Sequence, residues 1–286
     1  MKKILLFGPN GQVGFELKKT LAPLGHIITA EKQKVDFSIP QTIVKCIREV
    51  KPDIIVNAAA YTAVDQAESE KELANAINAI APGVIAEEAK KIDALLVHYS
   101  TDYVFNGSSN TPYIESDLPD PINVYGKSKL SGEKAIEDVS GRHLILRTSW
   151  VYGLRGKNFL LTMLKLAKER KQLKIVGDQI GAPTWSRSIA SATTQILQAP
   201  TLNDNLGLYH LTCSGKTSWH GFAEAIFKCA ALTMPPEVIK ITTQEYPLPA
   251  KRPAYSVLDN TKLKKTFCIE MPSWSQALQQ CMNEFM

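Results

Sequence analysis

Cysteine is scarce in this chain. Its five occurrences (Cys46, Cys213, Cys229, Cys268 and Cys281) make an odd number with no Cys-x-x-Cys spacing. That argues against a disulfide framework and against a thiolate metal knuckle, and it reads as reduced, structural thiols in a cytoplasmic protein. Long hydrophobic runs are missing too. No stretch approaches the roughly 20 apolar residues of a membrane span. The opening MKKILLFGPNG loses its apolar run at Gly8-Pro9, short of the roughly 7–15 residues of a signal-peptide core. We expect a soluble protein with no membrane partner. Charge of one sign is nowhere massed: 33 basic and 28 acidic residues are scattered, for a formal net charge of +5. This excludes a nucleic-acid stripe and suits small anionic ligands, phosphate-bearing ones among them. Repeats and low-complexity segments are absent as well.

What the chain does have is rhythm. KILLF (3–7), HIITA (26–30), DIIVNAA (53–59), ALLVHYS (94–100) and HLILRTS (143–149) are apolar runs without polar alternation, as in strands buried on both faces. Between them PQTIVKCIREV (40–50) and APGVIAEEAKKI (81–92) carry helical periodicity. The alternation predicts an α/β fold, a Rossmann-type doubly wound parallel sheet. After about residue 150, prolines from Pro183 to Pro253 divide the chain into shorter pieces. Helices are expected over 158–172 and 219–232, and GLYHLTC (207–213) reads as a strand able to return to the parent sheet. We expect a dinucleotide-binding domain over 1–152, with a returning segment near 185–215. A smaller, interleaved C-terminal substrate lobe would occupy 153–286.

The first strand runs into GPNGQVG, with Gly8, Gly11 and Gly14 three apart, and then into a predicted helix. Glycines there permit a tight turn and a close approach of backbone to a diphosphate, while the helix N-terminus offers free N–H groups. A merely structural turn would also use glycine. The second strand ends at Glu31, where an acid can hold the adenosine ribose and disfavour a 2′-phosphate. Lys32 and Lys34 offset that repulsion, or EKQK is only a solvated loop, so the choice between NADH and NADPH stays open.

Tyr125 and Lys129 stand one helical turn apart in NVYGKSKLSGEK. With nine tyrosines and lysine at roughly a tenth of positions, about one such pair is expected by chance. Its weight comes from upstream. Ser100, Thr101 and Asp102 end the fourth strand, where open parallel sheets place their ligands, although such a triplet also caps helices. Thr101, Tyr125 and Lys129 can therefore converge beside a nicotinamide. A nearby ammonium would lower the phenol from its ordinary value near 10. Thr101 would orient a substrate carbonyl, and Tyr125 would protonate the alkoxide as hydride arrives.

These motifs, with NAAAYT (57–62), STDYVF (100–105), YGKSK (125–129), APLG (22–25), DFS (36–38), RTSWVYG (147–153), DQIGAPT (178–184) and KRP (251–253), resemble the extended short-chain dehydrogenase/reductases over nearly the whole chain. Within that family the match falls among reductases of nucleotide-linked sugars. The resemblance implies NAD(P)H-dependent reduction of the C4 keto group of a dTDP-linked 6-deoxy sugar. It implies cofactor contacts from Gly11, Gln12, Val13, Glu31, Asp36, Phe37, Ala60, Tyr61, Thr62, Tyr99, Tyr125 and Lys129, and substrate contacts from Thr101, Asp102 and Trp150. Arg252 suits the substrate diphosphate by charge and Asn158 could bond the same ligand. Trp150 also reads as a core aromatic and Arg252 as a surface cation. Some relatives dimerise through glutamates around a metal ion. This chain keeps Glu16 and Glu284, but Arg187 in TWSRSIAS stands where another acid is expected. We expect no metal, and a monomer or weak homodimer. Related sugar dehydratases place Glu after the Asp, whereas Asp102 is followed by Tyr103, which favours simple reduction over dehydratase or epimerase chemistry. A non-catalytic role like that of the methionine adenosyltransferase β subunit is the other alternative.

Overall fold

Each of the five apolar runs forms a strand in the computed structural model, which describes residues 1–285: β1 (Lys2–Phe7), β2 (Gly25–Ala30), β3 (Ile54–Asn57), β4 (Leu95–Thr101) and β5 (His143–Thr148). The longer of the later strands are β6 (Gln172–Val176), β7 (Gly207–His210) and β8 (Glu237–Ile241). The larger helices are α1 (Gln12–Thr20), α2 (Pro40–Val50), α3 (Ala81–Lys91), α4 (Val124–Val139), α5 (Phe159–Glu169), α6 (Ser186–Gln198), α7 (Trp219–Cys229), α8 (Thr261–Phe267) and α9 (Trp274–Phe285). The main sheet has the order β7-β5-β4-β3-β1-β2, parallel throughout. After β2 the chain crosses back over β1 to β3, so the strand order reverses there. Phe7 pairs with Asn57 in register, which sets the carboxyl ends of β1 and β3 side by side at the switch point. Open α/β sheets bind their ligands in that crevice.

Successive side chains of a strand point to opposite faces, and both faces here are buried. Ile4, Leu6, Val56 and Val97 pack with Leu17 of α1, with Leu21 just past its end, and with Ile189 and Ile196 of α6. Leu5, Phe7, Ile55 and Leu96 pack on the other side with Ile43, Ile47, Ile85 and Ile136, from α2, α3 and α4. This double cover is why the strands read as unbroken apolar runs. The second half of the chain contributes α6 to this core and also β7, which lies parallel beside β5.

The helix expected over 158–172 ends at Glu169, where Arg170 turns extended, and β6 follows to pair in parallel with β8. The charged run KERKQ hid this boundary, because polar residues fit a helix end and a strand start equally well. Around this pair, α5, α7 and α9 enclose a separate cluster that includes Tyr152, Met163, Phe222, Leu278 and Met282. No helix among the described residues is long and apolar enough to cross a membrane.

Candidate active site

The turn after β1 explains its glycines one by one. Gly8 has φ +72°, and a Cβ there would lie 2.7 Å from the Ala58 carbonyl carbon and the Ala59 nitrogen. A Cβ on Gly14 would meet the Gly8 carbonyl oxygen at 2.0 Å, so α1 presses against the turn as only glycine allows. Gly11 caps α1 without any side-chain hydrogen bond, leaving the helix N-terminus open to an anion. The buried hydroxyls of Ser100 and Thr148, at the carboxyl ends of β4 and β5, have no hydrogen-bond partner. A glycine cradle, an uncapped helix start and unpaired hydroxyls along the same carboxyl edge of the sheet fit a dinucleotide.

The other expected cofactor residues take varied positions. Gln12 and Val13 begin α1, and Gln12 accepts a hydrogen bond from Asn158 Nδ2 at 2.8 Å. Glu31 is exposed just past β2. Asp36 turns its carboxylate onto the Ser38 N–H and hydroxyl at 2.9 and 2.7 Å, bonds that hold it below the ordinary Asp value. Phe37 packs edge-on against Phe7, with centroids 5.3 Å apart. The Ala60-Tyr61-Thr62 loop after β3 is clamped by Asn78, which accepts from the Tyr61 N–H at 2.8 Å and donates to the Tyr61 carbonyl at 3.0 Å. Asn78 also donates to the Ser128 hydroxyl of α4 at 3.0 Å. It sits on a single π-helical turn (Ala76–Ile80), an irregularity frequent at functional sites. The Tyr99 phenol is spent on Thr193 of α6, 2.7 Å away, and its carbonyl faces Lys129.

Thr101 ends β4 near Tyr125, and Lys129, one turn further along α4, reaches the Tyr99 carbonyl of the same strand. Thr101 Oγ1 donates to Asp102 Oδ1 at 3.0 Å and lies near enough to the Tyr125 phenol to favour its ionised form. Asn123 starts α4 by accepting from the Gly126 N–H at 2.7 Å, and this cap fixes the turn that presents Tyr125. Tyr103 meets the Tyr125 ring edge-on at 5.9 Å. Fully buried Lys129 donates to the Tyr99 carbonyl at 2.6 Å and lies 3.1 Å from His98 Nε2.

The electrostatics differ from expectation. Burial pushes the Tyr125 phenol up to about 12; the Thr101 bond opposes this and Asp102 adds to it. Lys129 is not among the groups that lower it, and burial pushes that lysine itself down to about 8. Asp102 rises to about 7, also through burial, which the Ser256 and Thr101 hydroxyls offset only in part.

At the far end, Trp150 has φ +44° and stacks on Trp219 with centroids 3.5 Å apart. Arg252 grips Asp65 with two bonds of 3.0 and 2.7 Å. A cavity of about 670 Å³ opens beside them, lined by Phe159, Thr162, Gln179, Trp219, Tyr246 and Arg252 among others. Asn158 caps α5 through the Leu161 N–H, and its Nδ2 serves Gln12, Gly153 and Arg155. It ties the glycine loop to the start of α5. Arg187 bonds Glu16 at 2.9 Å and also pairs with Glu284, and no group of three or more potential metal ligands occurs among the described residues.

Sequence reasoning missed Asn57, Asn78, His98 and the buried pair Glu133–Arg147. A signal existed for two of them: His98 and Asn57 interrupt otherwise apolar strand runs, LLVHYS and DIIVN, and a polar side chain in such a place must have a partner.

A twofold-covered parallel sheet, a glycine turn at its switch point and a Thr-Tyr-Lys group at the end of β4 define a nicotinamide-dependent oxidoreductase of the short-chain type. Comparison with known proteins narrows the class. The family model described as "RmlD substrate binding domain" matches residues 1–286, and the chain belongs to that family. It is 48% identical to a dTDP-4-dehydrorhamnose reductase of Burkholderia thailandensis, with 99% of both chains covered. It is 45% identical to one of Escherichia coli K12, over 98% of this chain and 97% of that one. Among solved structures, dTDP-4-dehydrorhamnose reductase of Bacillus anthracis in complex with NADP superposes with a TM-score of 0.94 at 37% identity, covering 99% of each chain.

Proposed function

We propose that this chain reduces the C4 keto group of dTDP-4-dehydro-L-rhamnose to give dTDP-L-rhamnose, in the cytoplasm, drawing on NADPH or NADH. The observation that carries the reading is the convergence of Thr101, Tyr125 and Lys129 at the carboxyl end of β4, with the phenol held in its protonated form. The names of the relatives and the NADP in the Bacillus anthracis structure support it.

The Gly8–Gly14 turn and the open start of α1 would hold the diphosphate of the cofactor, and the Asn78-clamped loop after β3 would flank it. Bound there, reduced nicotinamide supplies the hydride for the carbonyl carbon. Thr101 orients the carbonyl oxygen, and Tyr125 gives its proton to that oxygen as it becomes an alkoxide. Buried Lys129 sets the electrostatics behind the phenol. Glu31 is exposed at the end of β2, where a ribose edge would lie, and it favours NADH to the extent that it repels a 2′-phosphate. Arg252 and Trp219, on which Trp150 stacks, border the cavity that would take the nucleotide end of the substrate, and Asp102, next to Thr101, would face its sugar. Arg187 gives Glu16 and Glu284 their counter-charge, so we propose that the chain needs no divalent metal.

The test is the loss of reduced-nicotinamide absorbance with the keto sugar, generated in place by an epimerase, offered with each cofactor in turn. Turnover with at least one cofactor is expected. A pure, folded chain that oxidises neither would sink the reading.

A further inference from the structure

The segment DQIGAPT (178–184) has no part in the chemistry described so far, yet its residues gather around Trp150. Thr148 ends β5 in register with Thr101, so Trp150, two residues on, leaves the sheet beside the reaction centre. It does so at φ +44°, a left-handed conformation that is an outlier for a bulky side chain and persists only where the surroundings over-determine it. Two bonds supply that constraint. Ser149 Oγ donates to the Ala182 carbonyl at 2.7 Å, and the Thr184 N–H donates to the Trp150 carbonyl at 3.2 Å.

The indole itself lies in a slot. Trp219 covers one face, with centroids 3.5 Å apart and planes 5° from parallel. Gly181 covers the other. A Cβ on Gly181 would stand 2.4 Å from Trp150 Cε2 and 2.6 Å from both Cζ2 and Nε1. Near-equal distances to three bonded atoms put that point above the ring and not at its rim. No Trp219 atom is nearer, so this is the face that Trp219 leaves open, and only a residue without a side chain fits against it.

Trp219 is held in turn. Its Nε1–H donates to Gln179 Oε1 at 3.2 Å, and Gln179 Nε2 donates to Thr243 Oγ1 at 3.1 Å. The directions agree, since the Thr243 hydroxyl gives its own proton to Asp178 at 2.7 Å and an indole N–H can only donate. Gln179 is 5% exposed, too little for water to compete for its amide.

We propose that Gln179 and Gly181 are positioning residues that seat Trp150, Gly181 directly and Gln179 through Trp219, so that the indole meets the sugar of the substrate with its edge and not with its face. The seat stands without the proposed reaction; its service to a substrate rests on that reading. With both faces covered, the part left to a ligand is the rim. That is the positive side of the ring quadrupole and favours hydroxyl and carbonyl oxygens over the C–H face of a sugar. A displaced indole would weaken the hold on the sugar nucleotide and leave Tyr125 and the glycine turn as they are.

The test uses the full-length protein with ¹⁵N-labelled indoles, of which the chain has four. Gln179→Met keeps the length of the side chain and removes both bonds. It should speed exchange of the Trp219 N–H about fivefold or more, the equivalent of one ordinary hydrogen bond. The signals of Trp150 and Trp219 should move more than those of Trp185 and Trp274. Gly181→Ala presses a methyl group on the indole and should move the Trp150 signal; an unmoved Trp150 signal in either folded variant overturns the seat. With the keto sugar, each variant should raise KM about tenfold, within the range of an ångström's misplacement, with kcat and the cofactor KM held within about threefold. In a Trp150→Phe background the smaller ring leaves room, and the effect of Gly181→Ala on KM should shrink by at least about threefold. Equal effects in both backgrounds, or a loss confined to kcat, overturn the positioning role. If Gly181→Ala does not fold, Gln179→Met in the same two backgrounds carries the comparison. A protein that shows the expected indole shifts but reduces no sugar counts against the reductase reading and leaves the seat of Trp150 standing.

Discussion

Tyr125 enters the reaction as an acid, and its surroundings keep it one. Packing against Tyr103 and the proximity of Asp102 hold the proton on, while the Thr101 hydroxyl supplies the partner that a substrate oxygen would join. Tyr125→Phe keeps the ring and its packing. Steady-state kcat should fall roughly 10²–10⁴-fold, the usual contribution of a positioned general acid, with cofactor affinity by fluorescence titration unchanged. A variant that retains most of its turnover would place the proton elsewhere. Asp102 makes a prediction in stability. Its folded value near 7 lies above the ordinary 3.8, so the folded protein binds a proton that the unfolded chain has shed. The sign follows: this contribution is fully present below about pH 4 and lost as pH rises through about 7, by at most about 4 kcal/mol. Asp102→Asn removes it. Urea midpoints measured from pH 5 to pH 8, as about the accessible range, should fall for the wild type relative to the variant, and parallel curves would refute the shift. At this scale the candidate side chains were readable from position, a Tyr-Lys pair on a helix downstream of a Ser-Thr-Asp strand end, because the pair alone is no rarer than chance. The partners that set their protonation were not, since hydrogen-bond direction depends on which strands end up adjacent.

Helix α4 is the element on which the site hangs, and three features fix its height on the sheet. A Cβ on Gly126 would lie 2.1 Å from the Tyr103 carbonyl oxygen, and one on Gly132 would lie 2.0 Å from that of Asn78, so both close approaches require glycine. Two turns below Tyr125, Glu133 meets Arg147 of β5 in a fully buried pair, with a shortest contact of 2.6 Å. Removing one member strands a charge where water cannot reach. Arg147→Leu should cost about 3–5 kcal/mol in urea unfolding, and Glu133→Met in the same chain should recover much of it. If the double variant is no more stable than Arg147→Leu, the loss came from packing against Phe105, which the guanidinium overlies, and not from the stranded carboxylate. The sequence made α4 and the strands legible because double burial writes continuous apolar runs between amphipathic ones. It hid β6 and β8, each a five-residue strand with exposed charged positions, whose pairing depends on a partner more than sixty residues away.

At the scale of the whole molecule, the two halves of the chain share one core, and this decides whether either stands alone. The first 152 residues contain β1 to β5 and everything that covers one face of the sheet. The other face is covered by α1 and by residues from much later: Ile189, Ala190 and Ile196 of α6, Tyr209 of β7, and Leu263 and Phe267 of α8. The Tyr99–Thr193 hydrogen bond crosses the same divide. A chain ending at residue 152 would strip Leu6, Val56, Val97 and Leu146 of the part of their cover that comes from α6, β7 and α8, and β5 would become an open edge ready to pair with another molecule. We expect the full chain to unfold in urea as one cooperative transition, with fluorescence and circular dichroism coincident. The 1–152 fragment should bind a hydrophobic dye, show poor dispersion in its amide NMR spectrum and aggregate at concentrations where the full chain is soluble. A monomeric fragment with native-like dispersion and a sharp transition of its own would mean that α1 suffices to close that face. The later segments would then be an addition to a finished domain, and the glycine turn could be studied without α5, whose cap Asn158 braces it through Gln12.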